Sequence, residues 1–328
     1  MNEKQIIDKR WKEVDKLLSQ HLNKYKKLDK KMRRKLQDIF NSIFFTYEEI
    51  NNYTTDKKLK EFKEKISDFL EDNKVDGYIA YELRKILTKK KIKNSDILEK
   101  NILMILVEQE SEIDEIEAVL FEDVSELAYE DGQDEAVQEL GTDKKPISIP
   151  KTLLMSLLAL PTYRGYKWKD YKDGDLMYYA RQIYNQVIMN MQQERPLDVD
   201  SNEFSTILNR RNNKYLKKKD RERAVDQYSG ALNNQVVFLV NQIALQGMLR
   251  QGCTKVRFVA VVDDRTTDMC RSLNGQVFNI FEMNVFSRYS AEDGKNIIYR
   301  VRGLQLGANL PPIDNHFHYC RSTIYPER

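Results

Sequence analysis

The sequence predicts a mainly α protein, with an elongated helical N-terminal half and a small C-terminal α+β module, and three observations carry that prediction. Only 12 of the 328 residues are Gly and 7 are Pro, too few for a loop-rich β protein, while 32% are charged. Apolar residues recur at three- and four-residue spacing from residue 4 to about residue 140, which is the stripe of a helix facing a core or a partner. From Lys255 the period changes to two in "KVRFVAVVDD", as a mostly buried strand requires.

In chain order, Ile7, Trp11, Val14, Leu18, Leu22 and Tyr25 mark the first helical stripe, and Ile39, Phe40, Ile43, Phe44 and Tyr47 continue it. The stretches "NNYTTDKK" and "EDNKVDG" read as helix ends, since Asn, Thr and Asp cap helices and Gly starts turns. The helices they separate are expected to pack antiparallel. Ile113, Ile116, Val119, Leu120, Val124 and Leu127 hold helical register through the acidic residues 108–139, so this segment is expected to be folded. Residues 141–175, "GTDKKPISIPKTLLMSLLALPTYRGYKWKDYKDGD", gather Pro, Gly and aromatic residues between two helical regions and predict a linker or docking arm.

Beyond it, Leu176, Tyr179, Ile183, Val187, Ile188 and Met191 predict a helix stopped by "ERPLDVD", and residues 231–250 predict another ended by "QGC". In the strand that follows, Val256, Phe258, Ala260 and Val262 alternate with Arg257, Val259 and Val261. "DDRTTDMC" reads as a turn, an N-cap Thr and one or two helical turns through Met269, Cys270 and Leu273. "NG" before "QVF" reads as a turn into a second strand. The chain is therefore divided into a helical, charge-segregated region 1–140, the arm 141–175, and a domain 176–328 made of a helical stem 176–250 and an α+β module 255–325.

The net charge of +3 hides a strong segregation. Residues 1–35 carry thirteen Lys or Arg against five acids, whereas residues 101–143 contain no Lys or Arg. Basic clusters can neutralise phosphates and release counterions. "KYKKLDKKMRRK", with Lys30, Lys31, Arg33 and Arg34, and "NRRNNKYLKKKDRER", with Arg210, Arg211, Lys217, Lys218 and Lys219, are the nucleic-acid candidates; "LTKKKIKNSD" is a third basic face. The competing reading of each is a solvated helix face. The acidic segment suggests a surface that meets a basic partner or stays off DNA.

Three cysteines do not make a secreted disulfide scaffold and fit synthesis in a reducing cytosol. The N-terminus lacks the apolar stretch of a signal peptide. The longest apolar run, "TLLMSLLAL", is about half of the roughly 20 residues a membrane helix needs, so no membrane segment is expected. No internal repeat occurs, and neither GxxxxGK[ST] nor GxGxxG is present, which removes support for a nucleotide-driven motor.

Two stretches, "VVDDRTTDMCRSLNGQVF" at 261–278 and "LPPIDNHFHYCRSTIYP" at 310–326, hold two of the three histidines and two of the three cysteines. His316, His318 and Cys320 fall on one face of a strand, but the outer two lie roughly 13 Å apart by strand rise, so all three share one ion only if the chain bends. With Cys270 they would form a mixed Cys and His set suited to Zn2+, although the spacing is no standard zinc knuckle. Cys270 early in a short helix, with His318 or His316 as base and Asp263 or Asp264 nearby, would suit a cysteine-dependent hydrolase. A Cys270 to Cys320 disulfide is a third reading, worth on the order of 4 kcal/mol by loop entropy. The plainest is that both thiols are small buried packing groups while Arg321 and Asp264 pair across the module. These alternatives stay open on the residues alone.

Together the two stretches resemble the head-morphogenesis domain of tailed-phage minor head proteins, the family named after protein F of phage Mu. The matching positions are Asp264, Arg265, Thr266, Cys270, Leu273, Gly275, Pro311, Pro312, His318, Cys320 and Arg321. The match covers residues 255–325, and helices 176–250 fit the family's stem more loosely. Three departures are visible. The family's histidine lies three residues before Cys-Arg, where this chain has histidines two and four before Cys320; the second cysteine often seen after the first is here replaced in the region of Ser272 and Leu273; and Cys-Arg-Cys is here Cys-Arg-Ser.

The resemblance implies a noncatalytic minor component of a phage or prophage head that associates with the portal protein and with major capsid or scaffold proteins. It would act in head assembly and in DNA packaging or ejection, with double-stranded DNA as a further candidate partner. The expected location is the virion head, and the host cytoplasm during assembly. No cofactor is implied, with Zn2+ the one candidate. Some relatives carry a toxin or ADP-ribosyltransferase domain after the motif; with Arg328 three residues after Tyr325, none is expected here. The rival functions are the cysteine-dependent enzyme using Cys270 and His318, and a phage-encoded DNA-binding protein.

Overall fold

In a computed structural model of the chain, the described residues are 3–73, 75, 77–142, 145–158, 176–209, 227–260, 271, 273–290, 295–302 and 323–328. They form a mainly helical protein with long N-terminal helices and a small antiparallel sheet near the C-terminus, as the periodicity predicts. Eight helices occur among them: α1 (Glu3–Asn41), α2 (Asp56–Asp72), α3 (Gly77–Thr88), α4 (Asn94–Leu140), α5 (Lys151–Leu158), α6 (Leu176–Gln192), α7 (Asn202–Asn209) and α8 (Gln227–Arg250). The strands are β1 (Lys255–Val259), β2 (Val277–Asn279), β3 (Met283–Ser290), β4 (Lys295–Arg302) and β5 (Thr323–Glu327). None of the described helices is long and apolar enough to cross a membrane.

The chain forms two compact units, each gathered from separated stretches. One comprises Leu22–Glu117 and Lys172–Val225; the other comprises Met1–His21, Ala118–Tyr171 and Asp226–Arg328. Helices α1 and α4 each contribute to both.

In the first of these units, the apolar stripe of α1 (Met32, Leu36, Phe40) packs with Phe62 and Ile66 of α2, Leu83 of α3, Ile102 of α4, Val187 of α6 and Phe204 of α7. Burying each such side chain contributes about 1.5–3 kcal/mol. Within this unit α1 and α4 run antiparallel, because Lys31 pairs with Glu112 and Lys35 with Glu108. The acidic face of α4 thus finds part of its basic partner within the same chain. Gln37 fixes the segment before α7, donating to the Leu197 carbonyl at 2.8 Å and accepting from the Val199 amide at 2.9 Å. Thr55 caps α2, its hydroxyl accepting from the Lys58 amide at 3.4 Å, which satisfies one of the amides a helix start leaves open.

The expected continuation of the α1 stripe holds at Ile39, Phe40 and Ile43, which pack on this core, but not at Phe44. The helix ends at Asn41, Phe44 is 48% exposed and the neighbouring Phe45 is buried in its place. The reason is the exit from the helix: once the 3.6-residue period stops, the position that faces the core moves by one. Val119, in register with the acidic helix's apolar residues, is also half exposed.

In the other unit a three-stranded antiparallel sheet has the order β2-β1-β5. Strand β1 shows the expected alternation, with Val256 and Phe258 buried between more exposed neighbours. Its buried face packs with Leu245 and Met248 of α8 and with Leu273, Phe278 and Ile324. Two features lie outside the sequence expectation. Residues 141–175, read as an arm, contain helix α5, and the insert between the motif stretches contains a pair of eight-residue strands, β3 with β4, in antiparallel register from Met283↔Arg302 to Ser290↔Lys295.

Candidate functional site

The scaffold of the motif-bearing module is set by β1 and β5. Val259 at the end of β1 is the register partner of Thr323 at the start of β5. The chain therefore leaves the sheet into residues 261–270 beside the point where it returns from residues 303–322. The end of the first motif stretch is well defined. Leu273 is buried, and Gly275 has φ +81°, a left-handed conformation that costs Gly little. Here the turn is closed by backbone bonds to β1: the Gly275 amide donates to the Phe258 carbonyl at 2.8 Å, and the Phe258 amide to the Gln276 carbonyl at 2.9 Å. The Asn274 side chain accepts from the Ala260 amide at 2.9 Å. The "NG" turn into a second strand is thus observed as β2.

Beneath Thr323 lies a buried polar cluster that the sequence reading did not find. Arg10 of α1 is fully buried and donates to Asp131 at 3.3 Å, to Glu135 and to the Thr323 hydroxyl at 3.4 Å. That hydroxyl donates in turn to the Asn241 side-chain oxygen at 2.8 Å. Burial alone would lower the guanidinium's pKa, but the two carboxylates outweigh it and hold Arg10 more firmly charged than usual. Asp131 is pushed above the ordinary carboxylate range by burial, with Arg10 opposing the shift. A signal was present: Arg10 sits on the stripe of Ile7, Trp11 and Val14, and Asp131 and Glu135 are four apart on one helix face.

Cys253 is the cysteine among the described residues. It is buried, its thiol donates to the Lys255 carbonyl at 2.9 Å, and burial raises its pKa, which describes a packing group and not a nucleophile. Arg257 of β1 pairs with Glu327 of β5, its Nε lying 2.7 Å from the carboxylate.

Of the residues singled out in the sequence, Leu273 and Gly275 are placed as above. Asp263, Asp264, Arg265, Thr266, Cys270, Pro311, Pro312, His316, His318, Cys320 and Arg321 lie outside the described residues, as do Arg210, Arg211, Lys217, Lys218 and Lys219. The metal, nucleophile, disulfide and Asp264–Arg321 readings fall there too. Among the described residues no group of three His, Cys, Asp or Glu side chains is arranged to hold a metal ion. The basic candidates on α1 divide. Lys31 is paired with Glu112, and Arg33 with Asp29 at 2.9 Å and Asp200 at 3.5 Å, while Lys30 and Arg34 are exposed.

No family model matches this chain, and neither a curated protein nor a solved structure gives a significant match.

Proposed function

We propose that this chain is a minor head protein of a tailed phage or prophage, acting without catalysis at the portal vertex in head assembly and in DNA packaging or ejection. The observation that carries this reading is the ordered set Asp264, Arg265, Thr266, Cys270, Leu273, Gly275, Pro311, Pro312, His318, Cys320 and Arg321, in that spacing. The described part of the module supports it. Strands β1 and β5, to which the two motif stretches connect, pair in one sheet, and Leu273 is buried while Gly275 sits in a turn with positive φ. Long helices with segregated charge supply docking faces for portal, capsid or scaffold subunits. The virion head is the destination, with assembly in the host cytoplasm.

Co-expression with the portal protein encoded in the same genome tests the proposal. Co-sedimentation of the chain with portal rings at less than one copy per subunit is expected. Separate migration of the two at all salt concentrations tried would overturn it. Cys270→Ala separates the enzymatic rival: loss of stability or of portal association is expected, whereas a stable variant that has lost a hydrolytic activity would favour the enzyme.

A further inference from the structure

The unit formed by Leu22–Glu117 and Lys172–Val225 carries exposed aromatic rings paired with cations. Two loops distant in sequence make the surface that bears the first of these pairs. The Thr54 amide donates to the Ile92 carbonyl and the Asn94 amide to the Asn52 carbonyl, both at 3.0 Å, and Tyr53 bridges Lys93 in antiparallel fashion. Directly opposed residues project to the same side, and so do residues two apart. Tyr53, Lys91 and Lys93 therefore share the outward face, while Ile92 between the lysines is buried. Lys91 stands over the Tyr53 ring at 5.8 Å from its centroid, and Tyr53 remains 62% exposed.

The same pairing recurs on the elements that flank these loops. Lys85 lies 4.3 Å from the centroid of Tyr81, one turn earlier on α3, and Lys58 lies 3.0 Å from that of Phe44. Tyr81 is 56% exposed. Residues 84–93 contain six Lys or Arg and no acid. Of these, Lys85 and Lys89 are neutralised by Glu82 and Asp96, whereas Arg84, Lys90, Lys91 and Lys93 have no carboxylate partner among the described residues.

We infer that this surface binds nucleic acid with unpaired bases, the cations tracking phosphates and the tyrosine rings stacking on bases. Duplex DNA would use the lysines but leave the rings without a role, since its bases already stack on one another. A protein partner would use the tyrosines, but protein interfaces are depleted of lysine. Aromatic platforms set among cations match single strands, whose bases each offer a π face. This inference concerns a surface separate from the motif module, so its failure leaves the portal assignment standing.

Fluorescence anisotropy of the full chain with a labelled oligothymidine of about 20 nucleotides, and with a duplex of the same length, tests it. Tighter binding of the single strand is expected, weakening steeply between about 50 and 200 mM salt. Tyr53→Leu with Tyr81→Leu should weaken single-strand binding about fivefold or more, and Tyr53→Phe with Tyr81→Phe, which keeps both rings, should restore it. Lys90→Gln, Lys91→Gln and Lys93→Gln together should flatten the salt dependence. All these side chains are exposed, and an unchanged urea midpoint checks that the variants fold. Duplex binding equal to or tighter than the single strand, an unaffected leucine variant, or no binding at about 50 mM salt would each overturn the inference.

Discussion

Arg10 is fully buried, and its charge is matched by Asp131 and Glu135 on successive turns of α4, with Thr323 and Asn241 completing the cluster. Removing one side of a buried pair leaves the other uncompensated, which costs about 3–5 kcal/mol, whereas replacing all partners by neutral groups costs much less. Arg10→Met should therefore destabilise the protein by that amount in urea denaturation. Adding Asp131→Asn and Glu135→Gln should recover a large part, and no recovery would mean that the carboxylates are not what Arg10 balances. Asp131 also predicts a pH effect. Its folded pKa lies above its unfolded value near 4, so the folded state holds the proton more tightly and Asp131's contribution to stability falls as pH rises from about 4 upward. Asp131→Asn should remove that part of the slope in urea midpoints measured across the window. Cys253, buried and raised, should resist alkylation in the native protein and react once urea is added, as peptide mass spectrometry would show.

Helix–helix contact in the unit that holds the sheet depends on two glycines. A Cβ built on Gly132 of α4 would lie 2.2 Å from the Ala244 carbonyl oxygen of α8, and one on Gly247 of α8 would lie 2.4 Å from the Tyr129 carbonyl oxygen of α4. Both obstacles are backbone, which cannot rotate away. Gly132→Ala and Gly247→Ala should each destabilise by about 1–3 kcal/mol or more through overpacking. Gly77→Ala is the control: nothing lies within 4 Å of the added methyl, so thermal melting should show no loss. These positions also show where local reading stops. Gly132 in "EDGQD" has the chemistry of a turn, yet α4 runs through it because α8 approaches there. The "NNYTTDKK" helix end, by contrast, was legible, since Thr55 acts within its own first turn. Thr55→Ala should cost roughly 1 kcal/mol, read from the urea midpoint.

At the scale of the whole molecule, the fold class was legible because helical and strand periods are local properties, and they change at Lys255 where the sheet begins. The assembly of each compact unit from separated stretches was not, since nothing in a helical stripe states which distant helix covers it. The pairing of β3 with β4 was not legible for a related reason, since nothing within one strand states which strand it pairs with. Of the candidate site, the ordered motif could be read directly, whereas Arg10 is matched by Asp131 and Glu135 on a distant helix that its own stripe does not name.

The place we propose for this chain is the phage head. Quantitative mass spectrometry of purified particles, comparing DNA-filled heads with emptied ones, tests it most directly. This chain is expected at low copy in filled heads, far below the major capsid protein. Its absence from every particle, with the chain abundant in the cytosol of the producing cells, would contradict it.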